Sequence, residues 1–456
     1  MGELEGFVER CREAREAAEA MESPLVACHY DADGLSGGAL VVKAFAGIGV
    51  RARSMALRKL SSDEIGLLER EGGDEIVFVD LGGGASKAID ARLLPGGRKI
   101  VIIDHHQTPG GKALQANPHL FGFDGGSELS SSGCGYFVFR KPELVELGVV
   151  GAVGDMQFPL SGLNRTMLSE GEKAGRVAVE TDLSLFGRVS RPLVWFLQYC
   201  TEPFLPGLTG KRHACALFFE ELGIPLRDAR GEWRKYFQLS REEKVKVVSG
   251  LAAYLYSKDV DDETVRSLVG EVYSFPMQEQ GTELSDAKEF STVLNACGRH
   301  RKPEIGIGVC LGDEGAKREA KELLLLHRRQ LREAVEFAGN AVEDFGAYYF
   351  LDGRGKIDDG LIGVVAGMLY GGAIRRDKPV IALSLNEEGK VKASARSTKK
   401  LVEEGINLGT VMARASEGIG VGGGHNVAAG ANLEGDLNLF LVRCGKLIGE
   451  SRKQEN

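Results

Sequence analysis

The stretch Pro24–Phe45, "PLVACHYDADGLSGGALVVKAF", decides the fold. Its apolar start reads as a buried strand and its end as a helix, so the turn between them sits at the mouth of a strand. His29, Asp31 and Asp33 stand at every second position of that turn. In extended backbone alternate side chains share one side, which predicts three potential metal ligands projecting together. A calcium loop is the rival for the D-x-D-G pattern, and register removes it. With His29 at the first loop position, Leu40 falls where such a loop requires a bidentate Glu.

Working outward, "VRARSMAL", "DEIVFVDLG" and "RKIVIIDHH" are further strand-like runs that alternate with helical patterns. One of these, "SSDEIGLLER", opens with Ser61 and Glu64 in capping-box spacing. The alternation predicts an α/β fold, a parallel sheet covered on both faces, to about residue 160. The runs end in acids and histidines: Asp80 closes "IVFVD", Asp104, His105 and His106 close "IVIIDHH", and "GAVGDM" adds Asp155. Ligands of open parallel sheets gather beyond the carboxyl ends of the strands, so four coincident strand ends of this chemistry predict a metal centre rather than unrelated caps. Carboxylate oxygens mixed with imidazole suit Mn²⁺ or Mg²⁺ better than structural zinc.

Composition narrows the partners. A chain of 456 residues, 43% of them hydrophobic, can build two or three cores. Its net charge of -8 argues against holding nucleic acid by bulk positive charge, so a polyanion has to be met locally, by metal or arginine. The eight scattered cysteines include no C-x-x-C pair and read as reduced thiols. The charged N-terminus has no apolar signal region, and no stretch reaches the roughly 18 apolar residues of a membrane span. The expectation is a cytoplasmic protein that makes no membrane contact.

Residues 185–285 hold both tryptophans and charge patterns such as "REEKVKVVSGLAAYLYSKDV", and read as a mostly helical insertion. A strand is expected in "EIGIGVCLG", then a spacer helix of roughly 36 Å in "AKREAKELLLLHRRQLREAVEFAG". A second α/β unit follows, with a strand in "AYYFLD", a helix in "GLIGVVAGMLYGG", a hairpin in "KPVIALSLNEEGKVKASARS" and a glycine-rich "GIGVGGGHNVAAG". Consecutive glycines let backbone amides approach an anion, and Arg396 and His425 add charge-assisted hydrogen bonds suited to phosphate. Ser131, Ser132 and Gly133 in "SSSGCG" read as an ordinary helix N-cap.

In order, "HYDADG", "VDLG", "DHH" and "GAVGD" resemble the four motifs of the DHH phosphoesterase superfamily. "LNACGR" (Leu294–Arg299) and "GLIGVVAG" (Gly360–Gly367) are similar to segments of its RecJ-type members. "SARS" (394–397) and "GGGHNVAAG" (422–430) resemble the two substrate-holding signatures of the DHH-associated C-terminal domain. The resemblance implies a catalytic DHH domain at 1–305, a connecting strand and long helix at 306–340, and a smaller α/β substrate-binding domain at 341–456. It implies a single-strand exonuclease of replication or repair, running 5′ to 3′ on DNA, with RNA as a further substrate. Two Mn²⁺ ions, with Mg²⁺ the alternative, are implied: His29 and Asp31 on one, Asp33, His105 and Asp155 on the other, Asp80 bridging. Two ions roughly 3.5–4 Å apart favour in-line displacement at phosphorus.

By the same resemblance Asp104 orients a neighbouring histidine and His106 meets the phosphoryl oxygens. Asn295, Arg299, Ser394, Arg396, Gly423, Gly424 and His425 would hold a single strand between the two domains. The archaeal form, shorter than bacterial RecJ, is implied, with the GINS complex of a replisome as partner; the insertion reads equally as a docking surface for it and as a lid or packing domain. The alternatives are a non-catalytic helicase scaffold that binds GINS and a small-substrate phosphodiesterase or oligoribonuclease. Ligands retained at all four motifs favour catalysis, and "LNACGR", the spacer helix and the insertion disfavour small substrates.

Overall fold

The computed structural model describes residues 2–200, 203–371, 373–386 and 388–451. After α1 (Glu3–Glu19) the chain runs through β1 (Leu25–His29), α2 (Ala32–Ala46), β2 (Arg53–Leu57), α3 (Ser62–Glu71), β3 (Glu75–Val79), α4 (Ser86–Arg92), β4 (Lys99–Ile103) and β5 (Leu114–Ala116). These strands form one sheet in the order β2-β1-β3-β4-β5, each neighbour parallel. Val26, Cys28, Val77, Val79, Val101 and Ile103 enter one apolar cluster, with α1 and α2. Leu25, Ala27, Ile76, Phe78, Ile100 and Ile102 enter another, with α3 and α4. Both faces of β1, β3 and β4 are buried, which is why these strands read as continuous apolar runs. Ser61 and Glu64 form the expected capping box of α3.

The chain continues with α5 (Ser131–Phe139), α6 (Val145–Gly154), α7 (Gly162–Lys173), β6 (Ala178–Leu183), α8 (Leu193–Gln198), α9 (Arg212–Glu221), α10 (Arg241–Tyr256), α11 (Asp262–Arg266), β7 (Val269–Ser274), α12 (Ala287–Arg299), α13 (Pro303–Leu311) and α14 (Glu314–Ala341). β6 and β7 pair antiparallel and bracket the helical segment α8–α11. That segment is tied to its base by Asp182, whose buried carboxylate accepts from the Tyr236 hydroxyl, from Lys244 Nζ at 2.7 Å and from the Leu183 amide at 2.8 Å. Burial opposes the charge, but these donors hold the carboxyl below its ordinary value. A depressed folded pKa stabilises above the unfolded value of about 3.9, and the contribution is lost as pH falls through the folded one. Asp182→Asn is therefore expected to lower the unfolding free energy by about 2 kcal/mol at neutral pH. In denaturant melts the gap between the two proteins should narrow on acidification; a gap that widens would contradict the assignment.

"EIGIGVCLG" is not a strand. It lies in α13, which starts at Pro303 and is closed by Gly312 at φ 88°. Ile305, Ile307 and Val309 imitate the alternation of a strand, but proline in the first turn and glycine past the last are helix signals. Gly306 and Gly308 have no side chain to hold off Leu35 and Ala316, so the helix packs closely on α2 and α14.

The chain divides into two units, Met1–Tyr199 with Gly210–Leu324 and Cys200–Thr209 with Leu325–Asn456, so the division falls inside α14. The second unit adds β8 (Glu343–Asp344), β9 (Tyr349–Asp352), α15 (Ile362–Met368), β10 (Val380–Leu385), β11 (Val391–Arg396), α16 (Lys399–Glu403), α17 (Leu408–Ala415), β12 (Gly420–Gly424), β13 (Ala428–Leu433) and α18 (Leu437–Ser451). Its sheet runs β12-β13-β11-β10-β9-β8, with β9 and β10 parallel and the other pairs antiparallel. Ile381, Leu383, Ala393 and Ala395 pack with α17 and α18 on one face, and Val380 and Ala382 with α15 on the other. The eight cysteines are buried. Among the described residues no helix is long and apolar enough to cross a membrane.

Candidate metal centre

Strand order reverses between β1 and β3, and the crevice beyond such a switch point is where parallel sheets place ligands. His29 ends β1 and Asp80 follows β3. Asp80 has a left-handed φ of 59°, a conformation Asp tolerates better than most side chains, and its amide donates to Ile103 O at 2.9 Å. Asp31 caps α2: its Oδ1 accepts from the Gly34 amide at 3.0 Å, and its Oδ2 lies 3.0 Å from His29 Nδ1. Extended backbone stops there. Asp33 belongs to the first turn of α2, so the three ligands do not share one strand face as the spacing predicted, because helix geometry turns Asp33 away from its neighbours.

Asp33 is instead received by α5. Ser130 supplies that helix's cap, while the amides of Ser131 and Ser132 donate to the two Asp33 oxygens at 2.8 and 3.0 Å. Ser131 Oγ donates to Asp80 Oδ1 at 2.9 Å. "SSSGCG" is thus more than a cap, since it clamps two carboxylates at the positive end of a helix. Asp155 also departs from expectation: it closes helix α6, not a strand. The glycines of "GVVGAVGD" let α6 lie flush against its neighbours, since a Cβ at Gly151 would overlap Ser132 Oγ and Asp33 Oδ1.

Three sets of ligand atoms converge, each within 4.8 Å: His29, Asp31 and Asp80; Asp33, His105 and Asp155; Asp80, His105 and His106. Asp80 joins them, its Oδ2 3.2 Å from His29 Nδ1 and its Oδ1 3.4 Å from His105 Nε2. Asp104 stands behind the cluster, accepting from the Gly83 amide at 2.7 Å and meeting His106 Nδ1 at 2.8 Å. Burial, then the charge of Asp80, pushes the Asp33 carboxyl up to about 7. Burial pushes Asp155 up to about 6 against the opposing pull of His105. For His29 and His105 burial acts the other way, yet the facing aspartates raise both well above the ordinary imidazole value. Asp80 overcomes burial through its histidine contacts and stays well below its own. Negative charge is in surplus, and these oxygen and imidazole donors fit divalent cations that would neutralise it.

Of the other residues singled out by the motifs, Asn295 Oδ1 accepts from the Ala32 amide at 3.1 Å and so holds the turn that carries Asp31 and Asp33. Arg299 lies within electrostatic reach of Tyr30 and Asp31. Arg58, which no motif marks, sets its guanidinium 5.4 Å from the Tyr30 ring centroid. Within the second unit, Ser394 pairs with Gly430, itself opposite Gly423. Arg396 passes over Gly363 of α15, where a Cβ would stand 2.5 Å from Nη2. Gly424 has a φ of 134°, and the His425 amide donates to Ala428 O at 2.8 Å.

Comparison with known proteins agrees with this architecture. The DHH-CID domain matches residues 185–269 and the DHHA1 domain residues 345–448. An uncharacterised protein of Methanocaldococcus jannaschii is 29% identical, the alignment covering 98% of this chain and 100% of that one. The single-stranded-DNA-specific exonuclease RecJ of Thermus thermophilus is 30% identical over 182 residues, 34% of this chain and 27% of that protein. Among solved structures, Thermus thermophilus RecJ in complex with Mn²⁺ matches with a TM-score of 0.60 at 18% identity over 98% of this chain, which spans 55% of the RecJ chain. CDC45 from Entamoeba histolytica matches with a TM-score of 0.63 at 13% identity, covering 98% of this chain and 99% of that one. The two matched domains and the shared fold support a DHH-superfamily, RecJ-like protein.

Proposed function

We propose that the protein is a metal-dependent exonuclease that hydrolyses phosphodiester bonds of single-stranded nucleic acid in DNA replication or repair. The observation that carries this reading is the sharing of Asp80 between adjoining ligand groups. His29, Asp31 and Asp80 would hold one Mn²⁺ or Mg²⁺ ion, and Asp33, His105 and Asp155 the other, again with Asp80. Bound there, the ions supply Lewis acidity toward the phosphoryl group and activate a water.

The remaining steps belong to side chains. Asp104 occupies His106 Nδ1, leaving Nε2 to donate to a phosphoryl oxygen, and holds that imidazole above its ordinary pKa although burial opposes it. Arg299 supplies positive charge beside Asp31 for the scissile or neighbouring phosphate. In the second unit Ser394, Arg396, His425 and the amides of Gly423 and Gly424 form a second phosphate cradle. The insertion would serve a replisome partner such as the GINS complex.

The likeness to CDC45 favours a second reading, a non-catalytic replication scaffold; the intact ligand set weighs against it. The deciding experiment uses 5′- and 3′-labelled single-stranded DNA and RNA with Mn²⁺, Mg²⁺ or EDTA. Stepwise shortening of a single strand with either ion and none in EDTA is expected. No cleavage of any substrate would remove the exonuclease reading and leave the scaffold.

A further inference from the structure

Beyond Asp155 the backbone of Met156 takes a left-handed φ of 62°, which turns Met156 outward, 64% exposed, and the next side chain inward. That side chain is Gln157, 4% exposed. Its Nε2 donates to Asp155 Oδ2 at 2.7 Å and to Gly125 O at 2.7 Å, while its Oε1 accepts from Asn164 Nδ2 at 2.6 Å. Asn164 is fully buried in the first turns of α7, its own amide donating to Glu128 O at 2.8 Å, so the orientation of the glutamine amide is dictated from behind.

Gly125 O is also 2.7 Å from His105 Nδ1. A carbonyl oxygen can only accept, so the hydrogen on the His105–Gly125 contact belongs to His105 Nδ1, and the Gln157 amide, both of whose hydrogens are committed, offers that nitrogen none. In the neutral ring this leaves Nε2, the nitrogen facing Asp80, with the free lone pair. Position 125 has to be glycine for the contact to form, since a Cβ there would overlap His105 O.

We infer that Gln157 is a positioning residue for one ion site only, setting the Asp155 carboxylate and, through Gly125, the His105 tautomer. None of its hydrogen bonds reaches His29 or Asp31. The inference rests on the reading that the two ligand groups each hold a divalent ion. Partners of this kind around a ligating imidazole and carboxylate are worth about 10–100-fold in affinity.

The test is titration of the full chain with Mn²⁺ alone, followed by calorimetry and by electron paramagnetic resonance, for the wild type and Gln157→Met, which keeps the length and loses the donors. Two binding events are expected in the wild type. In the variant one should weaken by about 10–100-fold and the other hold within about twofold, a split that general loosening of the fold would not produce. Asn164→Ser, which removes the anchor behind the amide, should weaken the same event and decides the matter if Gln157→Met does not fold. Equal weakening of both events, or of neither, overturns the inference and leaves the metal reading standing. A wild type that binds no Mn²⁺ overturns both.

Discussion

Asp80→Asn is expected to lower the rate of single-strand hydrolysis by about a thousandfold or more, because residues that act as a unit fail together when their shared member is changed. Asn keeps the shape and tolerates the left-handed backbone that Asp80 adopts, so the fold should survive. What is lost is the charge that faces both His29 and His105. The imidazoles lose the carboxylate that helps raise them, and Asp33 loses the neighbour that pushes it up. Single-turnover kinetics on end-labelled DNA at saturating Mn²⁺ measures the effect, with thermal melting as the control. Full activity in the variant would sink the exonuclease proposal.

Gly298→Ala is expected to cost about 3 kcal/mol or more of stability. The new Cβ would overlap the carbonyl oxygen of Tyr30, an immobile backbone atom at the mouth of β1. Helix α12 would have to withdraw, taking with it the Asn295 bond to Ala32 and the place of Arg299. Urea unfolding of the two proteins checks this, and a difference below about 0.5 kcal/mol would contradict the packing. "LNACGR" is then partly a docking face for "HYDADG", with the glycine there for close approach.

The parallel sheet was legible because β1, β3 and β4 are buried on both faces and end in, or lead directly into, residues of distinctive chemistry. His29, Asp80 and the "DHH" run needed only the rule that strands deliver their ligands at one edge. Asp33 and Asp155 converge on the same centre by routes no alternation could reveal, one from the first turn of α2 and the other from the end of α6. "EIGIGVCLG" misled for a related reason: its period of two survives in a helix when the intervening residues are glycines that pack as closely as the isoleucines. Gln157 and Arg58 act through tertiary contact with motif residues distant in sequence and nothing local marks them, while Ser131 was legible only as a cap, its bond to Asp80 being a tertiary contact.

The clamp on Asp33 by the start of α5 has a consequence for the order in which the molecule is made. Domains fold as units during synthesis, N-terminal parts first. A nascent chain that has exposed "HYDADG" holds His29 and Asp31 early, but Asp33 waits for Ser131 and Ser132, and its group is complete only when Asp155 leaves the ribosome. Until then the growing polypeptide carries only part of the ligand set, and one of the two groups that meet at Asp80 and His105 stays open.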